Sequence, residues 1–133
     1  GVHAMTDVTG FGLAGHLLEM CRGSSLSAEL RLSELPLIDA ASRFAQAGIA
    51  TGASERNWAA YGNEVIWPEQ AADWQRTLLT DPQTSGGLLV SCSEAAVGQV
   101  LDAFRSAGFG RAADIGQMQA NQVGQGSRVE CAL

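Results

Sequence analysis

The stretch Thr6-Asp7-Val8-Thr9-Gly10-Phe11-Gly12-Leu13-Ala14-Gly15-His16 places a carboxylate, a hydroxyl and glycines at the mouth of an amphipathic helix. A helix mouth offers free N–H groups and a positive dipole end, both suited to an anion. The spacing predicts a helix from about Gly10 to Arg22, with Phe11, Ala14, Leu17, Leu18 and Cys21 on its core face and Thr9 as N-cap. Gly12, Gly15, His16 and Glu19 fall on the other face. A glycine inside a helix costs about 0.8–1 kcal/mol relative to alanine, so two on one face predict close approach by a ligand or another domain. The Asp7 carboxylate suits a hard cation such as magnesium, and equally suits a helix cap or dipole partner. His16 reads first as a hydrogen-bonding surface or interface residue, with ligand or acid–base work as the alternative. His3 has no context that gives it a role.

Outward from that helix, Leu26, Ala28, Leu30 and Leu32 alternate with polar residues and predict a half-buried strand from Leu26 to Leu32. Pro36 opens a helix with an apolar stripe of Leu37, Ala40, Ala41, Phe44 and Ala45, which Gly48 ends. Ala50 to Trp67 is irregular, and Thr51 to Asn57 has loop composition. A short helix is expected from Pro68 to about Leu79. The glycine spacing Gly10-x-Gly12-x-x-Gly15 matches a dinucleotide fingerprint only superficially. Few residues precede it, and Glu29 falls inside the next strand where an acidic residue after that strand is required.

A second segment, Leu79-Thr80-Asp81-Pro82-Gln83-Thr84-Ser85-Gly86-Gly87-Leu88-Leu89-Val90, runs from a polar turn into an apolar strand from Gly87 to Cys92. Thr84, Ser85, Gly86 and Gly87 suit a phosphate-cradling nest, or a tight turn whose glycines supply positive φ. They lack the Gly-Lys-Ser/Thr ending of a P-loop. Ser93 caps the next helix, whose core face is Val97, Val100, Leu101 and Phe104 and which Gly108 closes. Two strands, about Ala112–Met118 and Arg128–Leu133, are expected to form a hairpin. The order predicts an α+β fold with one mixed β-sheet covered by helices, forming a single domain over residues 1–133.

The net charge is −6 and every basic residue is an arginine, scattered along the chain. That excludes a basic groove for nucleic acid and any lysine chemistry within the chain. Arg56 and Asn57, in their expected loop, suit contact with an anion or solvent. Trp58, Trp67 and Trp74 read as packing residues. Cys21, Cys92 and Cys131 are odd in number and widely spaced, without a CxxC pair. They read as buried thiols in a reducing compartment and not as a zinc site. No apolar run is long enough for a membrane span, and no signal peptide is evident. The chain begins at Gly1 and not at methionine, and is expected to be a piece of a larger protein.

His3-Ala4-Met5-Thr6-Asp7-Val8-Thr9-Gly10-Phe11-Gly12-Leu13-Ala14-Gly15-His16 and Asp81-Pro82-Gln83-Thr84-Ser85-Gly86-Gly87-Leu88-Leu89 closely resemble two signatures of the selenophosphate synthetase family's C-terminal domain. The Arg56-Asn57 segment, followed by Trp58 and Tyr61, resembles it too. The resemblance covers essentially the whole chain. It implies the C-terminal fold of the aminoimidazole ribonucleotide synthetase-like superfamily. It also implies an enzyme that makes selenophosphate, AMP and phosphate from ATP, selenide and water with magnesium. Asp7 then corresponds to a magnesium ligand, and Thr9, Gly10, Phe11 and Gly12 line the nucleotide cleft. His16, Arg56, Asn57, Thr84, Ser85, Gly86 and Gly87 become site or domain contacts. The nucleophile and its lysine partner belong to an N-terminal ATP-binding domain, so no catalytic residue is expected in this chain and the chain alone is expected to be inactive. The resemblance further implies a homodimeric, cytoplasmic protein with no nucleic-acid or membrane partner. A different ATP-dependent ligase or kinase of the superfamily, or a non-catalytic anion-binding module, are the alternatives.

Overall fold

The computed structural model describes residues 1–133. It is α+β, as the element order predicts, but its strands form two sheets. A two-stranded antiparallel ribbon pairs β1 (Val2–Asp7) with β4 (Leu88–Cys92), and a four-stranded mixed sheet contains the rest. In the mixed sheet β2 (Leu26–Arg31) lies between β5 (Gly116–Ala120) and β6 (Val129–Ala132), with β3 (Val65–Ile66) at the edge beyond β6. β5 is antiparallel to β2, while β6 is parallel to it and to β3. The expected hairpin of the last two strands therefore does not form. Ala28 pairs with both Met118 and Val129, so β2 separates them.

On β2 the face of Ala28 and Leu30 is buried, whereas on the face of Glu29 and Arg31 the one buried residue is Ser27. Its hydroxyl donates to Asn121 Oδ1 at 2.7 Å and accepts from the Arg128 N–H at 3.0 Å. Buried polar groups are tolerated when bonded in this way. Helix α1 (Gly12–Ser24) packs between this sheet and helices α3 (Gly52–Tyr61) and α4 (Asp73–Thr80). Surrounded on two sides, it buries Gly12, Ala14, Gly15, His16, Leu17, Leu18, Met20 and Cys21. Glu19, Arg22, Gly23 and Ser24 are left facing solvent. The predicted division into core and outer faces is corrected here: the glycine face is buried and Phe11 is exposed.

Four further expectations are revised. α1 starts two residues later than predicted, with Phe11 and not Thr9 at the N-cap position and no side-chain cap bond. The segment expected as a loop folds as α3, because the Thr51 hydroxyl caps it by accepting from the Ser54 N–H at 3.1 Å. The predicted Pro36 helix is confined to α2 (Asp39–Gln46). The last helix, α5 (Val97–Ser106), follows a 3-10 turn over Glu94–Ala96, and its apolar residues are half-buried, not core. No helix is long and apolar enough to cross a membrane.

The core holds Leu17, Leu18, Leu30, Leu32, Tyr61, Leu79 and Val129 together with Cys21 and Cys131. All three cysteines are free thiols, and Cys92 is only half-buried. Burial pushes the Cys21 thiol from 9.0 up to about 11 and Cys131 up to about 12, and raises Tyr61 from 10.0 to about 12. Each of these groups is neutral in its protonated form and is held so by the fold. Their contribution to stability is full below the unfolded values and lost as pH rises through the folded ones. In reductant, the urea midpoint is expected to hold to about pH 8 and fall steadily from about pH 9 to pH 11. A midpoint that stayed level to about pH 11 would mean the thiols ionise freely in the fold.

Candidate functional site

The two signature segments meet at one end of the β1–β4 ribbon. Asp7, the last residue of β1, pairs with Leu88, the first of β4. Beyond that pair the chains stay joined. The Val8 N–H donates to the Gly87 carbonyl at 2.9 Å, and the Gln83 N–H donates to the Thr9 carbonyl at 3.1 Å. A strand therefore does precede the glycine-rich turn, although no strand was expected there. It pairs antiparallel with β4, unlike the parallel arrangement of a dinucleotide fold.

Gly86 makes this junction possible. A Cβ at Gly86 would lie 1.8 Å from the Val8 carbonyl oxygen and 2.8 Å from its carbon. Neither Gly86 nor Gly87 has positive φ, so the tight-turn reading of these glycines is corrected: close backbone approach, and not left-handed geometry, demands Gly86. Gly87 faces open space, and Thr84 and Ser85 are exposed. Gly12 carries both constraints, with φ +71° and a would-be Cβ 2.6 Å from the Leu79 carbonyl oxygen. At Gly15 a Cβ would meet Phe11 Cβ at 2.6 Å and the Tyr61 ring at 2.9 Å. The close approach expected from the helix glycines is therefore made by α3 and α4 of the same chain. A bulky residue at Gly15 would damage folding directly.

The loop from Thr9 to Phe11 is held from behind. The Asn57 amide donates to the carbonyls of Gly10 and Thr80, each at 2.9 Å, and the Tyr61 hydroxyl donates to the Phe11 carbonyl. Asn57 is thus a positioning residue on a helix and not a loop contact for anions. Arg56, about 100° around that helix, is exposed and forms no ion pair. Beneath the loop, the Ser54 and Thr80 hydroxyls bond at 2.6 Å. Thr51 Oγ1 also donates to Asp81 at 2.8 Å, tying the start of α3 to the second signature. Sequence reasoning gave no holding role to Ser54 and Tyr61, because a loop assignment for 51–57 hid the helix that presents them, nor to Thr80, the last residue of α4.

His16 is buried and bridges two groups. Its Nε2 lies 3.0 Å from Thr9 Oγ1 and its Nδ1 lies 2.9 Å from Glu19 Oε2. The Phe11 ring leans over it at 5.6 Å between centroids. The i, i+3 spacing of His16 and Glu19 was the signal for one of these bonds. Nothing in the pattern marked Thr9 as its other partner.

Asp7 is exposed, and no hydrogen bond or ion pair engages its carboxylate; only its backbone carbonyl accepts, from Thr6 Oγ1 at 3.1 Å. α1 starts five positions on, at Gly12, so Asp7 is not its cap. A free carboxylate at the signature junction fits one ligand of a magnesium ion. No group of three or more acidic, histidine or cysteine side chains stands together in this chain, so Asp7 would be one ligand of a shared ion.

Residues 1–127 match the family of AIR synthase related proteins, C-terminal domain, and the chain belongs to that family. Three of its curated relatives share a name. It is 58% identical over 118 residues to a selenide, water dikinase of Paraburkholderia xenovorans, covering 89% of this chain and 33% of the relative. It is 56% identical over 120 residues to that of Pseudomonas straminea, covering 90% and 34%, and 55% identical over 124 residues to that of Dechloromonas aromatica, covering 93% and 36%. The chain thus spans about a third of the length of the curated relatives it matches.

Proposed function

We propose that this chain is the C-terminal domain, residues 1–133, of a selenide, water dikinase, acting with an N-terminal ATP-binding domain in a homodimeric cytoplasmic enzyme. The whole enzyme makes selenophosphate, AMP and phosphate from ATP, selenide and water. This domain closes the nucleotide site and brings Asp7 to magnesium. The observation that carries the reading is identity above 50% to selenide, water dikinases along about 90% of the chain. The meeting of both signature segments around a free carboxylate supports it physically.

The division of labour follows from the chemistry. Phosphoryl transfer needs positioning and neutralisation of charge, which a magnesium ion supplies when bound. One carboxylate holds that ion weakly, and several from two domains hold it well. Thr9, Gly10, Phe11 and Gly12 form the cleft wall beside Asp7, and Asn57 and Tyr61 keep that wall rigid by binding its carbonyls.

Selenide-dependent release of AMP, followed by phosphorus NMR, tests the reading. The full-length protein is expected to turn over ATP only with selenide, and this chain alone to show no turnover. A full-length protein that released no AMP with selenide would overturn the assignment, as would turnover by the chain alone.

A further inference from the structure

Glu19, His16 and Thr9 form a hydrogen-bonded series running from solvent, through the buried top of α1, to the exposed Thr9. Glu19 Oε2, His16 Nδ1, His16 Nε2 and Thr9 Oγ1 are linked by contacts of 2.9 and 3.0 Å. Glu19 and Thr9 are exposed, whereas His16 is 7% exposed. The series has a direction. An ionised carboxylate only accepts, so the proton of the neutral imidazole resides on Nδ1 and Nε2 is left as an acceptor. The Thr9 hydroxyl then donates to Nε2, and its remaining lone pairs face outward.

The fold fixes every other group at this point. The Thr9 carbonyl accepts from the N–H groups of Gly12 and Gln83, both at 3.1 Å, so the backbone that carries the hydroxyl is held in place. Phe11 covers the imidazole, and Gly15 admits Phe11 and the Tyr61 ring beside it. An exposed threonine needs no buried histidine to satisfy it, since water would serve. A buried histidine spent on orienting one exposed hydroxyl is a specificity device of the kind that fixes ligands from behind.

We propose that Thr9 contacts the substrate water, with His16 and Glu19 as its positioning residues. The hydroxyl is locked as a hydrogen-bond acceptor toward the cleft. A phosphate oxygen offers no proton to such an acceptor, whereas a water molecule does. One O–H of the water donates to Thr9 Oγ1, which turns a water lone pair toward the cleft. This deepens the proposed function and rests on it, because the water is the co-substrate of that reaction.

Two measurements on the full-length protein test the proposal. In nitrogen-15 NMR of labelled histidine, neutral His16, assigned by loss of its signals in His16→Asn, is expected to be protonated at Nδ1. Protonation at Nε2 would overturn the series. In kinetics, Thr9→Val is expected to lower kcat about 10-fold, the scale of one lost hydrogen bond, with KM for ATP changed less than about 2-fold. Thr9→Ser is expected to restore it. His16→Gln, whose amide reaches toward the Nε2 position, is expected to retain more turnover than His16→Asn, which ends near Nδ1. Thr9 is exposed, so its valine variant keeps the test open even if the histidine variants fold poorly. Full kcat in Thr9→Val would show that the series only packs the helix. Absence of selenide-dependent turnover in the wild-type protein would instead remove the proposed function, and the water contact with it, whatever tautomer the spectrum shows.

Discussion

Asp7→Asn in the full-length protein is expected to lower selenide-dependent ATP turnover on the order of 100-fold, the scale of losing one electrostatic contact in a phosphoryl-transfer site. The chain itself should be indifferent. Asp7 is exposed, its carboxylate has no partner, and its place in the ribbon is held by pairing with Leu88. Surface substitutions of this kind change stability by no more than about 0.5 kcal/mol. Asparagine keeps the shape and removes the charge, so the loss is one of metal affinity. Raising magnesium is therefore expected to restore part of the turnover. A capping role would predict little change, since asparagine caps as well as aspartate, but α1 begins too far along the chain for that. Full turnover of Asp7→Asn at limiting magnesium would remove Asp7 from the metal site.

Local signals in the sequence revealed part of this arrangement. The α+β class, the mixed sheet, the long first helix and the apolar strand after Gly87 were legible, because each depends on periodicity over several residues. The ribbon was not. β1 alternates weakly, with Val2, His3, Met5 and Asp7 all exposed, and its only partner, β4, is more than 80 residues away in the chain. α3 was missed because its buried residues are Ser54 and Tyr61, which make no apolar stripe. The hairpin was misjudged because pairing order is decided by which strand best fills the sheet centre. β2, with Ala28 and Leu30 buried, takes that place.

The candidate site divides along the same line. Asp7 and the two signatures could be picked out as residue types in a row. Their meeting could not, since it rests on a contact between backbones that carries no side-chain signature. The glycines showed this most clearly. Propensity identified Gly12 and Gly15 as unusual, yet their neighbours are Leu79, Thr80 and Tyr61 of the same chain. A glycine marks where something comes close, and the sequence does not say what.

Gly86→Ala is expected to destabilise the domain by about 3 kcal/mol or more, at the upper end for forced overpacking. The added methyl would stand 1.8 Å from the Val8 carbonyl oxygen and 2.8 Å from its carbon; the Gln83 side chain, 3.0 Å away, can yield, but the Val8 backbone cannot. The two loops must separate, which breaks the Val8-to-Gly87 hydrogen bond and then the Asp7–Leu88 pair that follows it. Against a total stability of about 5–15 kcal/mol, that loss is large. Turnover of the full-length protein should fall with it, since Asp7 would leave its position. Gly87→Ala is the control: its Cβ meets nothing within 4 Å and its φ is not positive, so stability should change by less than about 0.5 kcal/mol. The pair also separates a phosphate nest from a backbone junction. A nest would make Gly87→Ala lose turnover while staying stable, whereas a junction concentrates the damage at Gly86 and shows it first in urea unfolding. A Gly86→Ala domain as stable as the wild type would mean that the ribbon end tolerates separation, and the close approach at Val8 would lose its role in holding the site together.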